Sequence, residues 1–245
     1  MQNALDIVVP VYNERENFET LYKNLCARVR APWRMLVVYD FGEDTTLQVA
    51  RPIAQRDERV VLVQNEGKKV LGAMKTGLSY AEAPAALVLM ADDSVEIIDA
   101  IDAMLARMDE TGAAVVAASR YMKGGSHAGG GTLKGLLSRT AGLSLYLLIG
   151  LPTHDATYAT KLFRTTFLRE TPIESTRGFT FAIELTLKAY LAGERIAEVP
   201  VKWTERTVGT SRFALFSWIS SYLYWYLWGM MRYYFCFGFL RVRRK

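Results

Sequence analysis

A mostly parallel α/β sheet with helices on both faces is the fold class this sequence predicts, and three features carry the prediction. Short apolar runs of strand length recur through the first half, each followed by a stretch of helix length, which is the rhythm of βαβ units. Some of these runs end abruptly on carboxylates, as at Tyr39-Asp40 and Met90-Ala91-Asp92-Asp93. Buried strands that deliver polar side chains at their carboxyl ends are how an open α/β sheet builds a ligand crevice. The chain is also long enough for a sizeable core, since 245 residues of which 51% are apolar suit one domain plus appendages better than two.

Taken in order, Ile7 to Val11 reads as the first strand, and Asn13 with Glu16 three residues later resembles a capping box opening a helix to about Arg30. Met35 to Val38 is a second strand closed by Asp40. Asp44 to Asp57 is a helix that Pro52 should kink or shorten. Val60 to Val63 is strand, Lys69 to Ala81 helix, Ala86 to Met90 strand, Ile97 to Glu110 helix and Ala113 to Ala118 strand again. At this level Asp92 and Asp93 have two readings, a ligand site or caps for the helix near Ile97. Lys123 to Gly131 is too glycine-rich for regular structure. Its spacing fits neither phosphate-binding glycine motif, so it reads as a lid. Leu133 to Ile149 follows as a helix, with Lys134, Ser138 and Arg139 near its start, and Val199 to Trp203 is a late strand.

Charge narrows the partners. The net charge of +5 comes from basic residues clustered late, between Arg195 and Arg212 and in Arg241 to Lys245. That suits phosphates or lipid headgroups, and in the absence of a recognised nucleic-acid motif no nucleic acid is expected as a partner. Cys26 and Cys236 are too few for a disulfide framework, so a reducing cytoplasm is the default, and no signal peptide is expected at the N-terminus. His127 and His154 form no metal pair or triad, and His154 reads as structural. Asp40, at a strand end, is placed to accept from a nucleotide base; Asp44 is either a site residue or a helix cap.

The tail carries a signal of a different kind. From Phe213 to Met231 no charge occurs and aromatics are dense; Arg232, a second apolar stretch and the basic terminus follow. A single span would put the terminal cations and the catalytic domain on opposite sides, so an interfacial helix, or a hairpin that dips and returns, is the expectation. This divides the chain into an α/β domain, residues 1–212, and a membrane-associated tail, residues 213–245. The alternative is a helix packed on the domain, or an interface that makes the protein a homo-oligomer.

Val8-Val9-Pro10-Val11-Tyr12-Asn13-Glu14 resembles the opening signature of family-two glycosyltransferases of the GT-A fold. Val37 to Thr46 is similar to that family's second acidic motif, with Tyr39 where an Asp is usual, and Gly67 to Gly77 to its glycine and lysine segment. Ala118 to Gly125, Leu137-Ser138-Arg139, Leu151 to Thr157, Gly178 to Glu184, Glu198-Val199-Pro200 and Glu205 to Arg212 resemble the polyprenyl-phosphate sugar synthases within it. The resemblance spans nearly the whole chain. It implies a nucleotide-sugar site of Pro10, Tyr12, Glu14, Asp40, Lys68 and Asp92, and a Mg²⁺ or Mn²⁺ ion on Asp93 with Asp92. It also implies catalytic roles for Asp93, Arg120, Arg206 and Arg212, and a lipid-phosphate site of Lys134, Ser138, Arg139, Arg206 and Arg212. The implied activity is inverting transfer of a sugar, from GDP-mannose or a UDP-hexose, to a polyprenyl phosphate at the cytoplasmic membrane face. Rival readings are an enzyme acting on a soluble or glycan acceptor and a catalytically weak membrane-bound interaction module. The sequence departs from the family pattern at Ala91, which replaces the first Asp of Asp-Ala-Asp, at Val95 in place of a Gln, and at Tyr158-Ala159-Thr160-Lys161 in place of Ser-Gly-Phe-Arg.

Overall fold

The computed structural model describes residues 3–128, 132–204 and 215–237. Strands β1 (Leu5–Val11), β2 (Trp33–Tyr39), β3 (Val60–Gln64) and β4 (Ala85–Val88) lie parallel in the order β3-β2-β1-β4. They are apolar with little alternation because helices cover both faces, and every residue of β1 is buried. Helices α1 (Arg15–Arg28), α2 (Leu47–Arg56), α4 (Val95–Asp99) and α5 (Ile101–Thr111) close one face through Phe18, Leu25, Ile53, Ile97 and Met104. Helix α3 (Lys69–Ser79) covers the other through Leu71 and Met74.

The second half extends the same sheet with β5 (Val115–Ser119), β7 (Lys161–Arg164) and β8 (Ile196–Pro200), giving the order β3-β2-β1-β4-β7-β5-β8. β7 runs antiparallel between β4 and β5, pairing Ala86 with Phe163 and Val116 with Leu162. Its four residues, bounded by Lys161 and Arg164, carry no strand signal, and the sequence reading passes over it. Helices α6 (Thr132–Ile149), α7 (Thr165–Glu170), α8 (Phe181–Leu191) and α9 (Leu215–Arg232) complete the chain, α9 running into a π-helical turn, Tyr233–Phe237.

Four expectations change. The helix expected from Ile97 to Glu110 is broken at Ala100 into α4 and α5, and α5 stops at Gly112, whose φ of 63° gives the left-handed cap that glycine accepts. The capping box at Asn13 does not form: Glu14 occupies the N-cap position and the Asn13 side chain bonds elsewhere. The glycine-rich segment is not all loop, because Ser126–Ala128 forms β6 and pairs with β9 (Lys202–Thr204), which is itself the far end of the strand expected from Val199 to Trp203. Gly129 to Gly131 lie outside the described residues.

The tail is also built into the domain. Trp225 of α9 is buried in the same core as Phe181 and Leu185 of α8, and Gly229 lets α9 approach Leu187 closely. Among the described residues no helix is long and apolar enough to cross a membrane. The packed-helix alternative therefore holds for the inner face of α9. Its outer face is exposed and still apolar, with Ile219, Leu223, Tyr224, Leu227 and Met231.

Candidate active site

Parallel register gathers the strand ends. Val11 lies beside Tyr39, Tyr39 beside Gln64, and Val88 beside Val8, so the residues that follow β1 to β4 share one edge of the sheet. Two of these loops are latched together. Asp44 Oδ1 accepts the backbone N–H of Asn13 at 3.0 Å and of Thr46 at 2.8 Å. Asn13 Oδ1 accepts from Thr45 N–H at 3.0 Å, and Glu14 N–H donates to Thr46 Oγ1 at 2.9 Å. Asn13 adopts a φ of 56°, a conformation asparagine tolerates better than most residues. Asp44 is thus a loop fastener, and its Oδ2 is buried with no hydrogen-bond partner among the described residues. The latch leaves Tyr12 exposed, edge-on to Phe41 at 5.5 Å, while Pro10 is buried within β1. Glu14 accepts from Asn17 Nδ2 at 2.5 Å.

Asp40 is half-buried and accepts from Asn65 Nδ2, a residue the sequence reading did not single out. Asn65 Oδ1 in turn accepts from Gly67 N–H at 2.8 Å and the Thr76 hydroxyl at 3.2 Å, so it ties the end of β2 to the turn carrying exposed Lys68. Gly67 and Gly72 meet back to back; a Cβ on Gly67 would stand 2.8 Å from Gly72 Cα. Nothing bulkier fits that turn.

Asp93 turns back on its own strand. Its Oδ2 accepts from Met90 N–H at 2.9 Å and the Thr160 hydroxyl at 3.1 Å, and its Oδ1 from the Tyr158 hydroxyl at 3.1 Å. Ser94, not Asp93, holds the N-cap position of α4. An edge of Asp93 stays accessible, but protein rings the carboxyl. That desolvation pushes its pKa up to about 6 against the pull of the Met90 N–H, with the exposed Asp92 next to it adding to the rise. Among the described residues its hydrogen-bond donors are all neutral.

Across Tyr158 the electrostatics reverse. Arg120, at the end of β5, forks onto Asp155 through Nε at 2.7 Å and Nη2 at 3.0 Å, and Nη2 also donates to Ser138 at 3.0 Å. Ser138 and Thr157 share a hydrogen bond of 2.7 Å. The guanidinium lies 4.4 Å over the Tyr158 ring. Asp155 is fully buried; burial raises its carboxyl, but Arg120 outweighs that and holds it below the ordinary value. Lys161, also fully buried, donates to the Asp155 carbonyl at 2.8 Å, and burial pulls its ammonium down to about 8 although Asp155 opposes the shift.

The structure therefore brings together Asp93, Arg120 and Ser138 from the sequence-predicted set, with Arg120 committed to Asp155. Arg139 is exposed on α6. Lys134 lies in α6 with its side chain outside the described residues, as are Arg206 and Arg212 altogether. His154 is structural: Nδ1 is 2.6 Å from Glu198 Oε1 and the ring stacks on Tyr146 at 4.2 Å. Tyr158 and Thr160 escaped the sequence reading as site residues, although both stand where the chain departs from the family pattern, which was the available signal.

Comparison with known proteins places this geometry. The chain is 30% identical over 85% of its length, and over 80% of the relative, to polyprenol monophosphomannose synthase of Mycolicibacterium smegmatis. It is 26% identical to undecaprenyl-phosphate mannosyltransferase of Micrococcus luteus, covering 84% of this chain and 86% of that one. Among solved structures, glucosyl-3-phosphoglycerate synthase from Mycobacterium tuberculosis, in complex with Mn²⁺, UDP-glucose and phosphoglyceric acid, superposes with a TM-score of 0.66 at 17% identity, over 93% of this chain and 79% of the other. That likeness shows the GT-A fold. Residues 6–171 match the model of glycosyl transferase family 2, and the chain belongs to that family as a glycosyltransferase.

Proposed function

We propose that the chain transfers a hexose, with mannose favoured by the names of its relatives, from a nucleotide diphosphate sugar to a polyprenyl phosphate at the cytoplasmic face of a membrane. Tyr12, Glu14, Asp40 and Lys68 sit at the strand ends where the nucleotide would lie, with Asp92 and Asp93 beside its diphosphate. The donor set there is oxygen only, and the described residues hold no cluster of three His, Cys, Asp or Glu side chains. One or two carboxylates, with waters and diphosphate oxygens completing the shell, suit Mg²⁺ or Mn²⁺, so Asp93 with Asp92 would hold the ion. When bound, it would neutralise the departing diphosphate.

An acceptor phosphate with a second pKa near 6 arrives as an oxyanion and requires no strong base. One of its oxygens attacks the anomeric carbon from the face opposite the diphosphate; the new C–O bond forms as the bond to diphosphate breaks, inverting the centre. Ser138, Arg139 and Lys134 on α6, with Arg206 and Arg212 from the sequence, would bind the acceptor phosphate, and Arg120 supports Ser138 from below.

The observation that carries a lipid acceptor is the exposed apolar side chains on two helices in contact: Leu136, Leu147 and Leu148 on α6 and Leu223, Leu227 and Met231 on α9. The two helices are joined by Tyr226 donating to Ser144 at 3.0 Å. A patch of that kind marks an interaction or membrane surface, and the basic terminus suits anionic headgroups. The test is transfer from GDP-mannose and UDP-hexoses, with Mn²⁺, to undecaprenyl phosphate in vesicles. Transfer confined to the lipid acceptor is expected, and Leu223→Glu with Leu227→Glu should weaken vesicle binding at least about tenfold. Equal transfer to water-soluble acceptors would favour the soluble-acceptor reading instead.

A further inference from the structure

One side chain touches both halves of the site. Tyr158 donates its backbone N–H to Asp155 Oδ1 at 3.2 Å and its hydroxyl to Asp93 Oδ1 at 3.1 Å, while its ring lies under the Arg120 guanidinium at 4.4 Å. Thr160, two residues on, donates to the other oxygen of Asp93 at 3.1 Å. The loop carrying both residues is held from beneath by Lys161 on the Asp155 carbonyl and from the side by Thr157 on Ser138. Both hydroxyls therefore belong to a braced segment, so they fix Asp93 rather than follow it. They also approach the turn where Ala91 leaves the first carboxylate position without a polar side chain.

We propose that Tyr158 is a positioning residue that aims the Asp93 carboxylate at the metal and diphosphate through its hydroxyl and seats Arg120 beside the acceptor through its ring. The proposal rests on the function proposed above. Two hydroxyl donors orient a carboxylate that has no second carboxylate in position 91 to share its ion. The ring supplies a flat cation-binding face that keeps the guanidinium between Asp155 and Ser138. The two duties use different parts of one side chain, and substitutions separate them. Tyr158→Phe removes the hydroxyl and keeps the ring; Tyr158→Leu removes both.

The experiment is titration of Mn²⁺ with GDP, Mn²⁺ with UDP, and farnesyl phosphate into the full chain in detergent, with Mn²⁺ occupancy followed by electron paramagnetic resonance. Tyr158→Phe is expected to weaken binding of Mn²⁺ with the preferred nucleotide about 10- to 100-fold, the loss of one hydrogen bond to a charged group, and to leave farnesyl phosphate within about twofold. Tyr158→Leu is expected to weaken both. A purely packing role would move both ligands together in Tyr158→Phe. Wild-type affinity for Mn²⁺ and nucleotide in Tyr158→Phe overturns the positioning role, whether or not Tyr158→Leu folds. A wild-type chain that binds neither nucleotide overturns the proposed function instead, so the two failures are told apart.

Discussion

Asp93 and Asp155 are both enclosed by protein, both contacted by Tyr158, and in opposite surroundings. Asp155 holds Arg120 in a fork, and the Lys161 ammonium, bonded to the Asp155 main-chain carbonyl, lies near enough to favour the carboxylate's charge as well. Asp93 is met by one N–H and two hydroxyls, all neutral. Their pKa values diverge accordingly, Asp155 held below the ordinary carboxylate value and Asp93 lifted to about 6. A buried carboxylate that already has its counter-ion is part of the framework. One that is desolvated without a counter-ion is poised to take a cation from outside.

The sharpest way to break the comparison is at Asp155. Asp155→Ala leaves Arg120 buried without its paired carboxylate, and removal of one partner from a buried pair costs about 3–5 kcal/mol. Urea unfolding should show that loss directly. A variant as stable as wild type would mean that the fork contributes nothing and that Asp155 is no more structural than Asp93.

Asp93→Asn should do the reverse. The amide removes a poorly solvated charge, so stability is expected to hold or rise, while transfer should fall about 10²- to 10³-fold through lost stabilisation of the departing charge. Near-normal turnover would sink the assignment. The pH dependence follows from the raised value. Because the folded chain binds this proton up to about pH 6 and the unfolded chain only up to about 3.8, the contribution of Asp93 to stability is fully present below about pH 4 and is lost as the pH rises through 6. Metal-free wild type should therefore lose stability relative to Asp93→Asn across that window, and Mn²⁺, which binds the folded carboxylate in its ionised form, should shrink or reverse the loss. For Asp155 the sign is opposite: its contribution is present above the ordinary carboxylate value and is lost in acid. Thermal melts at stepped pH check both.

How legible this was from sequence differs between the halves. β1 to β4 announce themselves because strands covered on both faces are apolar with little alternation, and Asp40 and Asp93 stand at their ends. β7 gives no such signal; it is four residues long and begins on a lysine that the core buries by way of Asp155. The pairing of Arg120 with Asp155 spans 35 positions and leaves no local trace, so the sequence offers Arg120 a catalytic role and not that of partner to a buried carboxylate. α9 misleads because large apolar side chains stand on both its buried and its exposed sides: Trp225 faces α8, Leu223 and Leu227 face outward, and composition cannot sort one from the other.

The finest division of the comparison runs through Ser138. It accepts from Arg120, which makes it an outlying member of the Asp155 framework, and it shares a bond with Thr157 on the loop that positions Tyr158. Yet it lies on α6 next to exposed Arg139, where the acceptor phosphate is proposed to bind. Ser138→Ala separates the two memberships. The hydroxyl makes two hydrogen bonds, one of them to the Arg120 guanidinium, so their loss costs about 1–3 kcal/mol, a shift readable in urea midpoint. If Ser138 also reaches the acceptor, KM for farnesyl phosphate should rise about fivefold while KM for the nucleotide sugar stays within twofold. A stability loss with both KM values unchanged would assign Ser138 to the framework alone and move the acceptor site out toward Arg139 and Lys134. The variant is informative because Arg120 keeps its fork on Asp155, so any change confined to the acceptor must come from the hydroxyl itself.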